Sequence, residues 1–354
     1  MNPHNEMLRL VDANANRARE GIRTAEDYIR FTIQNARWAS ALKAIRASIT
    51  ALIATHFVDN DLIAARNVSG DPGRPVDATA LHSVHLKPDE DAKSIARRGL
   101  KRAQEALRVL EEYTRVQFPD SAVQFSRHRY TLYEAEQWLM TCSTSATILA
   151  QSRVYVLLTE ALCKGGLIPT AKAVLAAGCK LLQLREKDLP DQALLERARG
   201  LQCLCDEYHA VLICNDRVDA ALLVGASGVH VGQDDLNPEE VRTLSGRRLL
   251  LGRSTHNVVQ AREALSDERV DYIAIGSMYD TTTKQKRIMA GLSLAQQVSA
   301  IPTDIPVFAI GGITEERIEE LKLAGVKRIA VASVVMQSST PGDVTRRLID
   351  KMES

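Results

Sequence analysis

The feature that most constrains this chain is a rhythm in its second half. After Ser152, short runs rich in Val, Ile and Leu alternate with amphipathic stretches of ten to fifteen residues, the signature of repeated βα units on a parallel sheet. Eight such runs can be counted, at 154–158, 181–184, 211–214, 228–231, 249–252, 272–275, 307–310 and 328–331. About 200 residues carrying eight strands predict a closed (βα)8 TIM barrel, its last strand returning beside the first. The open doubly wound alternative lacks its fingerprint: no GxGxxG follows an early strand, and Gly311-Gly312 comes only after the seventh.

The first half has a different texture. From Asn5 to about Gln151 it reads helical, interrupted by polar segments at 67–73 and 87–90. The expected organisation is therefore an all-α domain over 1–145 followed by the barrel over 152–354, with the small polar stretch 141–146 as linker. The helical part repeats itself, since Arg17 to Arg30 matches Arg102 to Arg115 at an offset of 85 residues. Two readings of the repeat stand side by side. One is a solvated helix face laced by pairs three and four apart; the other is a pseudo-symmetric arrangement bringing Arg17, Arg23, Arg102 and Arg108 together as an anion or dimer site.

Composition removes several function classes. With 45 Lys+Arg against 44 Asp+Glu in 354 residues, the net charge of +1 leaves no broad field for nucleic acid or anionic lipid, so any anion site is local. No apolar run approaches the ~18 residues that span a bilayer, and the first residues lack the apolar core of a secretory signal. The expectation is a cytoplasmic protein with no membrane and no nucleic-acid partner. Its six cysteines are scattered without CxxC spacing and are expected to be reduced thiols.

In a parallel barrel, the carboxyl ends of the strands and the loops after them face one mouth, so polar residues there carry function. Read in order, those positions are Gln183 to Lys187, Asn215 to Arg217, His230 to Asp235, Arg253 to His256, Thr281 to Lys284, Gly311-Gly312 and Ala332-Ser333. Arg185, Lys187 and Lys284 are cations that would converge on an anion. Asp216 and Asp235 are carboxylates without thiolates or a histidine cluster beside them, which suits a hard, water-rich cation, Mg²⁺ foremost, and implies a diphosphate ligand. Gly311, Gly312 and Ser333 follow the seventh and eighth strands, where barrels of this kind bind a single phosphate through backbone amides. Thr281 and Thr283 can add hydroxyl donors, and His230 and His256 read as packing or orienting residues. A mouth holding both a metal-bound diphosphate and a monophosphate favours displacement of diphosphate by a nucleophile that carries its own phosphate.

The ordered segments QLREK, the Asn215-Asp216 pair, GVHVGQDDL, STH, TxTK and AIGGI make residues 153 to 350 resemble the thiamine-phosphate synthases, and residues 1–145 resemble the helical extension found on some bacterial members. The resemblance implies a transferase that joins 4-amino-2-methyl-5-(diphosphooxymethyl)pyrimidine to thiazole phosphate, with CO₂ release from the carboxylated thiazole. It implies that Gln183, Leu184, Arg185, Glu186, Lys187, Asn215, Ser254 and Lys284 hold the pyrimidine diphosphate, with Arg185, Lys187 and Lys284 as the catalytic cations. It further implies Thr281, Thr283, Gly312, Ala332 and Ser333 for the thiazole phosphate, and Asp216 and Asp235 for Mg²⁺. The loop 279–284 lacks the family's usual prolines, and Ala332 replaces a branched residue. The extension has no P-loop, so a homo-oligomer formed through it is expected ahead of a supplementary pyrimidine-phosphate kinase. Rival readings of the barrel are a thiazole tautomerase and a non-catalytic sensor of thiamine phosphate.

Overall fold

A computed structural model describes residues 3–33, 35–66, 91–279 and 291–354. The chain divides into two compact units, Met1–Met140 and Thr141–Ser354.

The first unit is built from α1 (Pro3–Tyr28), α2 (Ala36–His56), the short α3 (Asp59–Ala64), α4 (Ala92–Thr114) and α5 (Pro119–Thr141). Asn35 and Asp91 start α2 and α4 by accepting the free amides of Trp38 and Ser94. Helices α1 and α4 run antiparallel and touch backbone to backbone at two glycines: a Cβ on Gly21 would lie 2.4 Å from the Gly99 carbonyl oxygen. Helix α2 is tied to α5 by His56–Ser121 and His128–Ser48 hydrogen bonds, both 2.8 Å, and by the Trp38 and Trp138 rings, 5.7 Å apart.

The repeat has a structural counterpart. Glu26 and Glu111 hold equivalent positions in α1 and α4, both are buried, and each meets an arginine of the next long helix: Glu26 with Arg46 at 3.0 Å, Glu111 with Arg129 at 3.0 Å. Arg23 pairs with Asp27 at 2.9 Å, and Arg108 pairs with Glu111 at 2.7 Å and Glu112 at 2.6 Å, all within their own helices. Two of the four candidate arginines are thus engaged along the helix surface, as in the salt-bridged reading.

The second unit begins with α6 (Ser143–Gln151), so the stretch 141–146 is a helix joint and not a free linker. Cys142 donates to the Arg247 carbonyl at 2.9 Å, and Arg328 donates to that of Ala150 at 2.6 Å, which fixes a segment whose Ser and Thr residues have weak helix propensity. Strands β1 (Val154–Leu158), β2 (Leu181–Leu184), β3 (Val211–Asn215), β4 (Gly228–Val231), β5 (Leu250–Thr255), β6 (Tyr272–Gly276), β7 (Val307–Ile310) and β8 (Ile329–Val331) pair in parallel in chain order. β8 closes onto β1, with Tyr155 opposite Ala330.

Around the barrel lie α7 (Leu167–Ala176), α8 (Asp191–Glu207), α9 (Val218–Val224), α10 (Pro238–Ser245), α11 (Val258–Ser266), α12 (Gly291–Ser299), α13 (Ile318–Leu323), α14 (Ser333–Met336) and α15 (Pro341–Glu353). Alternate strand residues, among them Val156, Leu182, Leu212, Val229, Leu251 and Ile273, pack outward against these helices in one apolar core. The intervening residues point into the barrel, and they carry the polar groups. Strand β5 runs to Thr255, three residues past the expected end at Gly252, so Arg253 and Ser254 are strand residues. All six cysteines are free thiols. Among the described residues no helix is long and apolar enough to cross a membrane.

Candidate active site

The barrel mouth opens on a cavity of about 410 Å³ lined from all eight strand ends. Its floor is made by inward positions of the strands. The rings of Tyr155, Tyr272 and Phe308 meet edge to face, 5.4 to 6.0 Å apart, and close the barrel below the cavity. Above them runs a line of hydrogen bonds: Gln183 Nε2 to the Tyr155 hydroxyl (2.6 Å), Tyr155 to the Tyr272 hydroxyl (3.0 Å), Tyr272 to His230 Nδ1 (3.1 Å) and His230 Nε2 to Ser254 Oγ (2.9 Å). Gly252 makes room for it, because a Cβ there would fall 2.1 Å from Tyr272 Cζ and 2.4 Å from His230 Nδ1. Burial holds both tyrosine hydroxyls well above their ordinary pKa, so they stay protonated.

The walls carry charge. Asp216 sits at the end of β3 with φ +60°, held by its own amide donating to the His230 carbonyl (2.8 Å) and by Asn215 Nδ2 donating to Oδ2 (2.6 Å). Asp235 reaches back from the loop after β4 to accept the Gly232 amide at 2.7 Å. The two carboxyl groups meet. Burial and the facing Asp235 push Asp216 up to about 6, against the downward pull of Lys187 and Arg185; Asp235 is held below its ordinary value, its own desolvation outweighed by the Asp216 hydrogen bond, the Gly232 amide and the nearby cations. Two acidic side chains this close share a proton unless a cation lies between them. Among the described residues no group of three or more His, Cys, Asp and Glu side chains could hold a metal by itself. Two carboxylates with an open polar cavity therefore fit a cation that completes its shell with water and phosphate oxygens.

The far wall is made by loops after β7 and β8. Gly311 and Gly312 have φ +106° and +65°, a left-handed pair that turns the chain across the mouth beside Ser333. Arg317 donates to the Gly312 carbonyl and stacks over the Tyr279 ring at 4.2 Å, which fixes that turn from behind.

Of the residues expected to bind substrate or metal, Gln183, Arg185, Lys187, Asn215, Asp216, Asp235, Ser254, Gly312, Ala332 and Ser333 line this one cavity. Leu184 and Glu186 do not line it. Leu184 has the outward parity of β2 and lies in the apolar core, while the Glu186 carboxylate accepts the Glu160 amide at 2.7 Å. Thr281, Thr283 and Lys284 lie outside the described residues. Sequence reasoning passed over Tyr155 and Tyr272 because they look like apolar strand filler; the signal was their inward parity, shared with Gln183 and Ser254. Gln233, one of the expected mouth positions, lines the cavity and donates to the Ser254 carbonyl at 2.6 Å.

Comparison with known proteins shows the family. The family model described as thiamine monophosphate synthase matches residues 154–335, and the ThiD2 family model matches residues 9–138. A thiamine-phosphate synthase of Gloeobacter violaceus is 38% identical over 350 residues, covering 98% of this chain and 97% of that protein. One from Nostoc sp. is 37% identical over 346 residues, covering 98% and 94%. Among solved structures, the thiamine phosphate pyrophosphorylase of Pyrococcus furiosus superposes with TM-score 0.53 at 29% identity, covering 58% of this chain and 98% of that one. The barrel, the charges at its mouth and likeness along almost the whole sequence lead to one conclusion: this chain is a transferase belonging to the thiamine-phosphate synthase family.

Proposed function

We propose that the barrel joins 4-amino-2-methyl-5-(diphosphooxymethyl)pyrimidine to the phosphate ester of a carboxylated thiazole, giving thiamine phosphate, diphosphate and CO₂. The observation that carries this reading is the convergence of Asp216, Asp235, Arg185 and Lys187 at one end of a cavity whose other end is the glycine turn after β7. Arg185 and Lys187 hold the diphosphate, joined by Lys284. Gln183, Asn215 and Ser254 orient the pyrimidine, and Gly312, Ala332 and Ser333, with Thr281 and Thr283, hold the thiazole phosphate.

The bond between the pyrimidine methylene and the diphosphate oxygen breaks with both electrons leaving on oxygen. The amino-substituted ring stabilises the cation that remains, and the thiazole nitrogen lone pair forms the new C–N bond; the bond from the thiazole to its carboxylate then breaks, its electron pair passing into the ring system, which takes up one proton from solvent as CO₂ leaves. No residue has to remove a proton in that step, so the protein's contribution is charge placement. A unit charge pair at 4 Å is worth roughly 4 kcal/mol at an effective dielectric of 20, so two or three cations around the leaving group can supply much of the barrier reduction. Asp216 and Asp235 would hold Mg²⁺, which when bound neutralises diphosphate oxygens. A thiazole isomerase has no need of this diphosphate apparatus.

The test is to mix purified chain with both substrates and Mg²⁺. Equimolar thiamine phosphate and diphosphate are expected, with loss of both on chelation and in Asp216→Ala. Undiminished coupling by that variant removes the metal assignment, and ligand binding without turnover makes the barrel a sensor. For the helical unit the ThiD2 match favours a second reading, transfer of the ATP γ-phosphoryl group to a pyrimidine monophosphate. Full-length chain given ATP and that monophosphate should then form ADP and the pyrimidine diphosphate; none above background ends the idea.

A further inference from the structure

The buried hydrogen-bond line under the cavity has a direction, and that direction decides what the site presents to its ligand. At one end the Gln183 carboxamide donates Nε2–H to the Tyr155 hydroxyl. An amide NH₂ group can only donate, so the Tyr155 oxygen is the acceptor and its own proton turns to the other partner, the Tyr272 hydroxyl 3.0 Å away. Tyr272 in turn directs its proton at His230 Nδ1, 3.1 Å away. A ring nitrogen that accepts carries no proton, which places the imidazole proton on Nε2, facing Ser254 Oγ at 2.9 Å. With its oxygen receiving that proton, the Ser254 hydroxyl has its hydrogen left for the cavity. At the opposite end the Gln183 carbonyl oxygen is left as an acceptor.

We propose that Tyr155, Tyr272 and His230 are positioning residues that act as one polarised relay, presenting Ser254 to the cavity as a hydrogen-bond donor and Gln183 as an acceptor. Such a pair is complementary to an aminopyrimidine, whose ring nitrogens accept and whose exocyclic amine donates. This assignment of polarity rests on the pyrimidine reading above, whereas the relay itself rests only on the five side chains. Three features of the fold support it. Gln183, Tyr155 and Tyr272 are at most 1% exposed, so no solvent competes for their protons. Burial keeps the two phenols protonated. Gly252 is the position where any side chain would occupy the space of the Tyr272–His230 contact.

The relay ties distant strands to one outcome. Reversing the line needs every member to move: if His230 carried its proton on Nδ1, Tyr272 would accept there and turn its proton to Tyr155, the Gln183 amide would have to turn over so that its oxygen met the Tyr155 proton, and Ser254 would spend its proton on His230. The site would then offer the ligand an acceptor at Ser254 and a donor at Gln183, the wrong pattern for an aminopyrimidine. Removing the Tyr272 hydroxyl takes away the group that selects the unprotonated state of His230 Nδ1, and the tautomer preference weakens.

The experiment is ¹⁵N NMR of imidazole-labelled full-length protein without substrate, the His230 signal assigned by its loss in His230→Asn. The expected spectrum has a protonated Nε2 and an unprotonated Nδ1; a protonated Nδ1 in the wild-type chain overturns the relay's direction. In Tyr272→Phe the tautomer preference should weaken, and the KM for the pyrimidine diphosphate should rise about tenfold while the KM for the thiazole phosphate stays within twofold. Tyr155→Phe, which leaves the Tyr272–His230 contact in place, should give a smaller shift in the same direction. Equal rises in both KM values, or none in Tyr272→Phe, would assign the tyrosines a packing role and end the proposal. A chain that performs no coupling at all defeats the functional reading, but the tautomer still decides the relay.

Discussion

The two units bury acid side chains in opposite ways. In the helical unit Glu26 and Glu111 are buried and each is answered by an arginine of the same unit, at 3.0 Å in both cases. At the barrel mouth Asp216 faces another acid, and burial together with that neighbour pushes its carboxyl up to about 6. The first arrangement is complete as folded; the second leaves two acids opposed, as the proposed Mg²⁺ site requires. Charge that a chain matches with its own residues reports on folding, and charge that it leaves opposed to its like reports on function.

This contrast can be broken most directly at Asp216. Asp216→Ala should lower coupling by on the order of 10³-fold, since it removes half of the carboxylate pair. The same variant should unfold normally as read by tryptophan fluorescence, because both tryptophans of the chain, Trp38 and Trp138, lie in the helical unit. Its mirror image is Glu111→Ala. Taking the buried carboxylate away from the half-buried Arg129, which is left with its Tyr133 hydrogen bond, should cost the helical unit about 3 kcal/mol in a denaturant titration followed at the same tryptophans, with kcat of the coupling reaction unchanged below the transition. A fall in kcat there would show that the helical unit serves the barrel chemistry.

A smaller loss is expected at the α1–α4 crossing. Gly21→Ala must push its new methyl group off the Gly99 backbone, at a cost of about 2 kcal/mol by the same fluorescence readout. The smallest effect sharpens the comparison through pH. A carboxyl whose folded pKa is raised to about 6 favours the folded chain while it is protonated, and that contribution is lost as pH rises through about 6. In chelator-treated protein the melting temperature of wild type should therefore fall relative to Asp216→Asn as pH is raised from about 4 to above 6. A constant difference between the two would mean the acids do not oppose each other.

Much of this molecule was legible because the barrel writes its outer face plainly. The outward residues of each strand are apolar against a helix layer, so all eight strands could be counted and the mouth positions followed from them. What escaped reading did so for physical reasons. Strand β5 looked finished at Gly252, since glycine resembles a strand exit, but that glycine is a mid-strand gap filled by Tyr272 and His230. The stretch 141–146 looked like a linker on local propensity, and the contacts of Cys142 and Ala150 with the barrel unit override it. Leu184 and Glu186 were swept in with their neighbours; strand alternation and the Glu160 amide take them elsewhere. The recurring residues of the repeat were visible, Glu26 and Glu111 among them, but that these two acids are buried was not, because burial of a charge is set by a partner helix far along the chain.

The missing side chain at position 252 also limits how the pocket can change over generations. Any methyl group introduced there collides with the phenol and the imidazole at once, so single replacements at this spot are closed to drift unless positions 230 and 272 both give way first. The base of the cavity is therefore expected to vary in a coupled set, and a library built to reshape the ligand preference of this barrel should randomise residues 230, 252 and 272 together.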